Sequence, residues 1–280
     1  MAYEGYECLR IRRERGVVFV TIDHPPINLF DLTLMRDLSR IGEQLETDDA
    51  VRVAVFRSAN PEFFIAHADV RLIQRLPTTV PPKPATLGLF HAMVDRFRTM
   101  PKATIAEIAG RARGGGSEFV LSLDMRFAAL GRAILAQPEV ALGIIPGGSG
   151  TQRLPRLMGR GRALEIILGC DDIPADLAER YGYVNRALPP AELTPFVERL
   201  AYRIASFPAE AIAFAKASVA AAELPTVEGL LEEAHLFNQS VATGPARQRM
   251  ERFLELGGQT RAAELELGDL FEKLAEEKGA

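Results

Sequence analysis

Two cysteines in 280 residues, Cys8 and Cys170, are too few and too far apart for a disulfide framework or a zinc cluster. Neither has a second thiol or a histidine beside it, so both are expected as reduced, inert thiols. The four histidines, His24, His67, His91 and His235, show no metal-ligand spacing, and each alone reads as a surface or satisfied core imidazole. No metal site is expected. No apolar run approaches the roughly 20 residues a spanning helix needs, and Met1-Ala2-Tyr3-Glu4-Gly5 is acidic where a signal or transit peptide would be basic. A cytoplasmic protein without a membrane partner is the expectation. Positive charge is not in excess either: 33 Lys and Arg against 37 Asp and Glu leave −4, which disfavours nucleic acid as a partner. What remains is a globular composition, 48% hydrophobic and 25% charged, with enough chain to bury a core without disulfides.

The first part of the chain mixes strands and helices. Cys8 to Arg13 alternates, and Val17 to Ile22 is a β-branched run ended by the turn Asp23-His24-Pro25-Pro26. Leu34, Leu38, Ile41 and Leu45 recur at helical spacing behind Asp31, a fitting N-cap. Strands are expected at Val51 to Phe56, Ala103 to Ile108 and Met125 to Ala129, with a helix at Leu87 to Met100. From Thr151 onward the pattern is nearly all helical, broken at Gly169 to Pro174, Pro189-Pro190, Pro208, Pro225, Gly244-Pro245 and Gly257-Gly258. The segments Pro225 to Val241 and Gln259 to Lys278 are rich in Leu, Glu and Ala. Such a helical end packs on another subunit or, from Gly268, runs as a solvated tail. The reading is a mixed α/β body, residues 1–200, with a helical C-terminal region, residues 201–280.

Familiar phosphate and nucleophile motifs fail. Gly116 stands where a P-loop needs Lys, Gly114-Gly115-Gly116-Ser117-Glu118-Phe119 lacks the third glycine of a dinucleotide fingerprint, and Thr151 interrupts a nucleophile elbow at Gly148-Ser149-Gly150. Arg153, Arg156, Arg160 and Arg162 read as solvated helix charges, with phosphate attraction as the alternative. More informative are two glutamates in apolar settings. Glu118 follows three glycines at a helix start, where it would be half-buried beside free N–H groups. Glu139 sits between Gln137-Pro138 and an apolar stretch ending in Gly147-Gly148. Either these are charges that complement helix dipoles, or they are buried carboxyls with raised pKa values, usable as general acid and base.

Several ordered stretches resemble the crotonase superfamily, the enoyl-CoA hydratase/isomerase family. They are Phe64-Ile65-Ala66-His67-Ala68-Asp69, Gly114 to Glu118, Ala136-Gln137-Pro138-Glu139 and Gly143 through Leu157, with a weaker match at Tyr181 to Arg186. The resemblance implies a spiral of repeated strand–strand–helix turns with a helical C-terminal trimerisation region, assembled as a homotrimer or hexamer. It implies an oxyanion hole at the N–H groups of Ala68 and Gly115, and catalytic roles for Glu118 (base toward water) and Glu139 (acid toward the α-carbon). Ala66, His67, Asp69, Gly114 and Gly147 are implied in substrate binding. The activity implied is hydration of a 2-enoyl-CoA, with no cofactor beyond the CoA of the acyl-CoA thioester. Double-bond isomerisation is the runner-up, followed by other acyl-CoA chemistry on the same hole and by non-catalytic acyl-CoA binding.

The chain departs from the family pattern in three places. His67 replaces the glycine of the oxyanion loop; its ring is expected to point to solvent, or else to add a donor or base near the acyl group. Asp23-His24-Pro25-Pro26 replaces a basic residue, and Leu256-Gly257-Gly258 replaces a basic run, both at positions that touch CoA phosphates in relatives. The proline-rich stretch Thr78 to Pro84 is expected to border the acyl pocket.

Overall fold

The computed structural model describes residues 3–223 and 227–276; the expected break at Pro225 and the end at Lys278 lie outside them. Among the described residues, one sheet runs β1(Leu9–Glu14)-β2(Val17–Ile22)-β3(Val53–Ser58)-β5(Ala103–Ile108)-β7(Met125–Ala129)-β10(Arg186–Leu188). The second runs β4(Phe63–Ile65)-β6(Arg111–Arg113)-β8(Ile134–Ala136)-β9(Ile173–Pro174). β1–β2 and β8–β9 are antiparallel, and every other pair is parallel. Each turn of the chain therefore lays one strand in each sheet: β3 then β4, β5 then β6, β7 then β8. Helices close the turns, α2(Val70–Gln74) and α3(Leu89–Thr99) after the first and α4(Gly115–Leu121) after the second. This is the spiral that the motifs implied.

The unbroken apolar look of Val17–Ile22 has a simple cause: both faces of the sheet are covered. Val18, Val20 and Ile22 face an inner core shared with Leu34, Leu38, Ile41 and Leu45 of α1(Leu32–Thr47). Val17 and Phe19 face outward, against Val197 and Ala201 of α8(Pro190–Ala205). Asp31 caps α1, its side chain accepting from the N–H groups of Thr33 and Leu34. At the centre of the inner core, Phe119 meets Phe56 and Phe97 edge-on, at ring separations of 5.3 and 5.5 Å. That packing fixes α4 from within.

The remaining chain is α5(Gly150–Met158), α6(Arg160–Gly169), α7(Ala175–Tyr181), α9(Ala209–Ala221), α10(Val227–Val241), α11(Gly244–Glu255), α12(Arg261–Leu265) and α13(Leu267–Glu276). It is less purely helical than its pattern suggested, because β9 and β10 interrupt it to finish the two sheets. The last helix is no solvated tail: Leu270 and Leu274 bury against Met250 and Phe253 of α11. Among the described residues no single helix is long and apolar enough to cross a membrane.

Candidate active site

The three adjacent parallel strands β4, β6 and β8 end on the same side of the second sheet, and each hands the chain to a loop or helix start. Ala68 follows β4, Gly115 follows β6 and Glu139 follows β8. The carboxyl ends of parallel strands are the usual place for a ligand crevice. Here they border a cavity of about 240 Å³ lined by Ala68, Gly115, Glu118, Glu139, Gly147 and Gly148 on its polar side. Phe30, Met35, Leu72, Ile73, Phe90 and Phe237 form the apolar remainder.

The backbone at Ala68 is aimed by a single parallel bridge to Phe30. Phe30 N–H donates to the His67 carbonyl at 2.9 Å, and Asp69 N–H donates to the Phe30 carbonyl at 3.1 Å. Ala68's neighbours thus serve Phe30, and its own N–H turns the other way. Gly115 is the first residue of α4, so its N–H precedes any intrahelical acceptor. The two backbones adjoin: a Cβ on Gly115 would sit 3.5 Å from Ala68 N. Gly114 makes the approach possible. At φ +48° it holds a conformation that L side chains avoid, and a Cβ there would come within 2.7 Å of Glu139 Oε1. From behind, Ser117 hydrogen-bonds the buried Tyr183 at 2.6 Å, which gives the Tyr181 to Arg186 stretch its part in the site.

Glu118 is buried, not half-buried as its position suggested. Its Oε1 accepts from Gly148 N–H at 2.7 Å and Gly150 N–H at 2.8 Å. Glu139 Oε2 is buried without a hydrogen-bond partner among the described residues. Burial and then the charges of Glu139 and Glu233 push the Glu118 carboxyl far up, against the pull of the two amides. Burial likewise pushes Glu139 up to about 8, with the His67 charge drawing it down. A buried and a half-buried carboxyl on one cavity titrate as a pair and hold at least one proton at neutral pH. The amide donors favour charge on Glu118, and the orphan oxygen favours the proton on Glu139. Such a cavity can take up one proton and release another while amide donors hold a developing negative charge.

Of the residues singled out by sequence, Ala68, Asp69, Gly115, Glu118, Glu139 and Gly147 border the cavity. Gly114 stands behind Glu139, and Ala66 is packed with Ile27 and Phe63 in a small core. The expected course of His67 is corrected: the ring is buried, not solvent-facing. Its Nδ1 donates to the Ala68 carbonyl at 2.8 Å and its Nε2 to Glu264 of α12 at 2.9 Å. The Ala68 carbonyl can only accept, so Nδ1 carries a proton, and the Glu264 carboxylate beside Nε2 favours a second one there, which disfavours base chemistry at the ring. Arg153 is also buried, its Nε donating to Ser149 Oγ, rather than a solvated helix charge. The stretch Thr78 to Pro84 contributes nothing to the cavity; Leu76 and Phe90, on either side of it, do. Sequence reading missed Glu233 and Glu264. Glu233 lies 84 residues from Ser149 and Glu264 197 residues from His67, in helices whose patterns do not mark either carboxylate.

Gly148 offers a sharp test of this geometry. A Cβ there would overlap Glu118 Oε2 and lie 2.5 Å from Phe90 Cε1. Gly148→Ala is expected to displace the Glu118 carboxylate and lower any reaction that depends on it by about 100-fold, since a misplacement near 1 Å costs that much. Unchanged circular dichroism together with the lost rate would confirm a local cause.

A sequence profile of the Enoyl-CoA hydratase/isomerase family matches residues 12–260. The chain is 32% identical over 253 residues to the crotonyl-CoA hydratase of Syntrophomonas wolfei, covering 90% of this chain and 96% of that protein. It is 31% identical over 247 residues to the short-chain-enoyl-CoA hydratase of Clostridium acetobutylicum, covering 88% and 94%. Among solved structures, a protein from Streptomyces avermitilis assigned as an enoyl-CoA hydratase superposes with a TM-score of 0.90 at 42% identity, covering 98% of this chain and all of that one.

Proposed function

The chain belongs to the enoyl-CoA hydratase/isomerase family, and on that footing we propose that it adds water across the double bond of a 2-enoyl-CoA. One observation carries the reading: two carboxyls, Glu118 buried and Glu139 half-buried, share an apolar cavity with the adjoining backbones of Ala68 and Gly115. The thioester carbonyl sits against the N–H groups of Ala68 and Gly115. Glu118, as carboxylate, takes a proton from water as its oxygen bonds to the β-carbon. The π electrons move toward the carbonyl, and the resulting enolate is held by the two amides, each worth about 3–4 kcal/mol in such holes. Glu139 gives its proton to the α-carbon. Return of the proton from Glu118 to Glu139 resets the pair.

No cofactor beyond the substrate's own CoA enters this sequence of steps. We infer a homotrimer or hexamer in the cytoplasm, joined through residues 201–280. In support, α9 has no buried residue and presents Phe214 and Val219, 74% and 68% exposed. Isomerisation of the double bond, drawing on Glu139 alone, is the second reading, and the presence of a held Glu118 favours hydration over it.

Purified protein incubated with a panel of acyl-CoA thioesters and followed by mass spectrometry is expected to gain one water on 2-enoyl-CoA. A panel without any mass gain overturns the proposal. Because Glu139 must arrive protonated and is raised to about 8, kcat/KM for hydration is expected to fall as pH rises past that value. A rate that climbs steadily to pH 10 would remove Glu139 as the acid.

A further inference from the structure

Glu233 lies on α10, 84 residues from Ser149, yet it is 1% exposed. It accepts from Ser149 N–H at 2.5 Å, from Thr151 N–H at 3.0 Å, from the Thr151 hydroxyl and from His91 Nε2 at 3.1 Å. Set beside the bonds of Glu118, the amides of this turn alternate. Those of Gly148 and Gly150 go to Glu118, and those of Ser149 and Thr151 go to Glu233. A turn can present successive N–H groups to opposite sides only if its backbone departs from the helix that follows. The departure is at Ser149, a non-glycine residue at φ +106°. Such a conformation persists only where its surroundings over-determine it.

We propose that Glu233 is a positioning residue for Glu118: it holds the turn 148–151 in its strained form, so that Gly148 and Gly150 aim their amides at the Glu118 carboxylate. The reach across the fold is direct. Glu233 is one helical turn from Phe237, which lines the cavity, so the face of α10 that walls the cavity also secures the turn. With only one carbonyl oxygen at 233, either the buried Ser149 amide or the half-buried Thr151 amide is left unmatched, and the turn relaxes toward ordinary backbone. Glu118 then loses its donors and its orientation without any change to a group that touches substrate.

The inference rests on the reading of Glu118 as the base toward water, and the test keeps the two apart. In Glu233→Gln, kcat for hydration is expected to fall about 100-fold with KM within threefold, because orientation is lost and binding is not. The Gly148 and Gly150 amide signals in ¹H–¹⁵N spectra are expected to move upfield as their carboxylate bonds lengthen. Adding Ser149→Gly is expected to recover part of kcat, since glycine takes the positive φ without help. A plain helix cap at Glu233 would predict lower stability with kcat, the two amide signals and the double variant unmoved, and any of those results overturns the proposal. Should Glu233→Gln fail to fold, Glu233→Asp keeps the charge, shortens the reach and is expected to move the same signals. If the wild-type protein hydrates no enoyl-CoA, the function falls, and the amide signals still decide this inference.

Discussion

Glu118→Gln and Glu139→Gln, made separately, are each expected to lower hydration of an enoyl-CoA by about 10²–10⁴-fold, the range for loss of a general base or acid. Glu118 is buried and Glu139 half-buried, and glutamine matches glutamate in shape, so folding is expected to survive. At Glu118 the carbonyl of a glutamine still accepts from Gly148 and Gly150, whose amides lie 2.7 and 2.8 Å from Oε1 in the native chain. What is lost is basicity toward water. At Glu139 the loss is a removable proton near the α-carbon; the unpartnered Oε2 gives that proton no competing acceptor in the native site. Stopped assays with crotonyl-CoA, read by mass, settle each case. If only the Glu139 change matters, the chemistry is isomerisation. If neither matters, the two glutamates are not the acid and base of the reaction.

The second large effect concerns His67 and Glu264, a pair with side chains 7% and 0% exposed. Glu264→Gln is expected to destabilise the fold by about 3–5 kcal/mol, the usual cost of leaving one member of a buried pair alone. Burial by itself would lower the His67 pKa, but the Glu264 charge and the bonds to Glu264 and Ala68 overcome it and hold the ring above its ordinary 6.5. Glu264 is held below its ordinary 4.5, burial being outweighed by the His67 charge and the Gln259 amide. The histidine's contribution is complete below 6.5 and fades as pH rises through its higher folded value. That of Glu264 is complete above 4.5 and fades as pH falls through its lower folded value. Urea unfolding is therefore expected to show the largest difference between wild type and Glu264→Gln between pH 4.5 and 6.5. A difference that grows toward pH 9 would contradict an imidazolium at position 67.

How much of this was readable beforehand follows from where the physics is local. Asp31 as a cap and the α1 stripe depend on neighbours within a turn or two, and the sequence displays them. The strand at Val17–Ile22 announces itself because both its faces are apolar. By contrast, β4, β6 and β8 are three residues each, too short to show a period, so the sheet that carries the site was invisible except through the family's motifs. The two glutamates stood out by their apolar settings and by resemblance; the full burial of Glu118 did not, because the Phe90 ring and α10 are distant in sequence. His67 was misjudged for the same reason. Its partner lies 197 residues away, in a helix whose own pattern gives no sign that one carboxylate is dry.

The spiral's second sheet has a consequence for how such a site changes. Its strands set three loop roots side by side, and each root delivers a different chemical part: one amide, another amide, one acid. The acid's root can be lengthened or recast without moving the two amides, because strand pairing rather than loop packing fixes their separation. In this chain the acid at position 139 can be exchanged while strand pairing keeps the Ala68 and Gly115 backbones adjoining, whereas Glu118 shares α4 with Gly115 and moves with it.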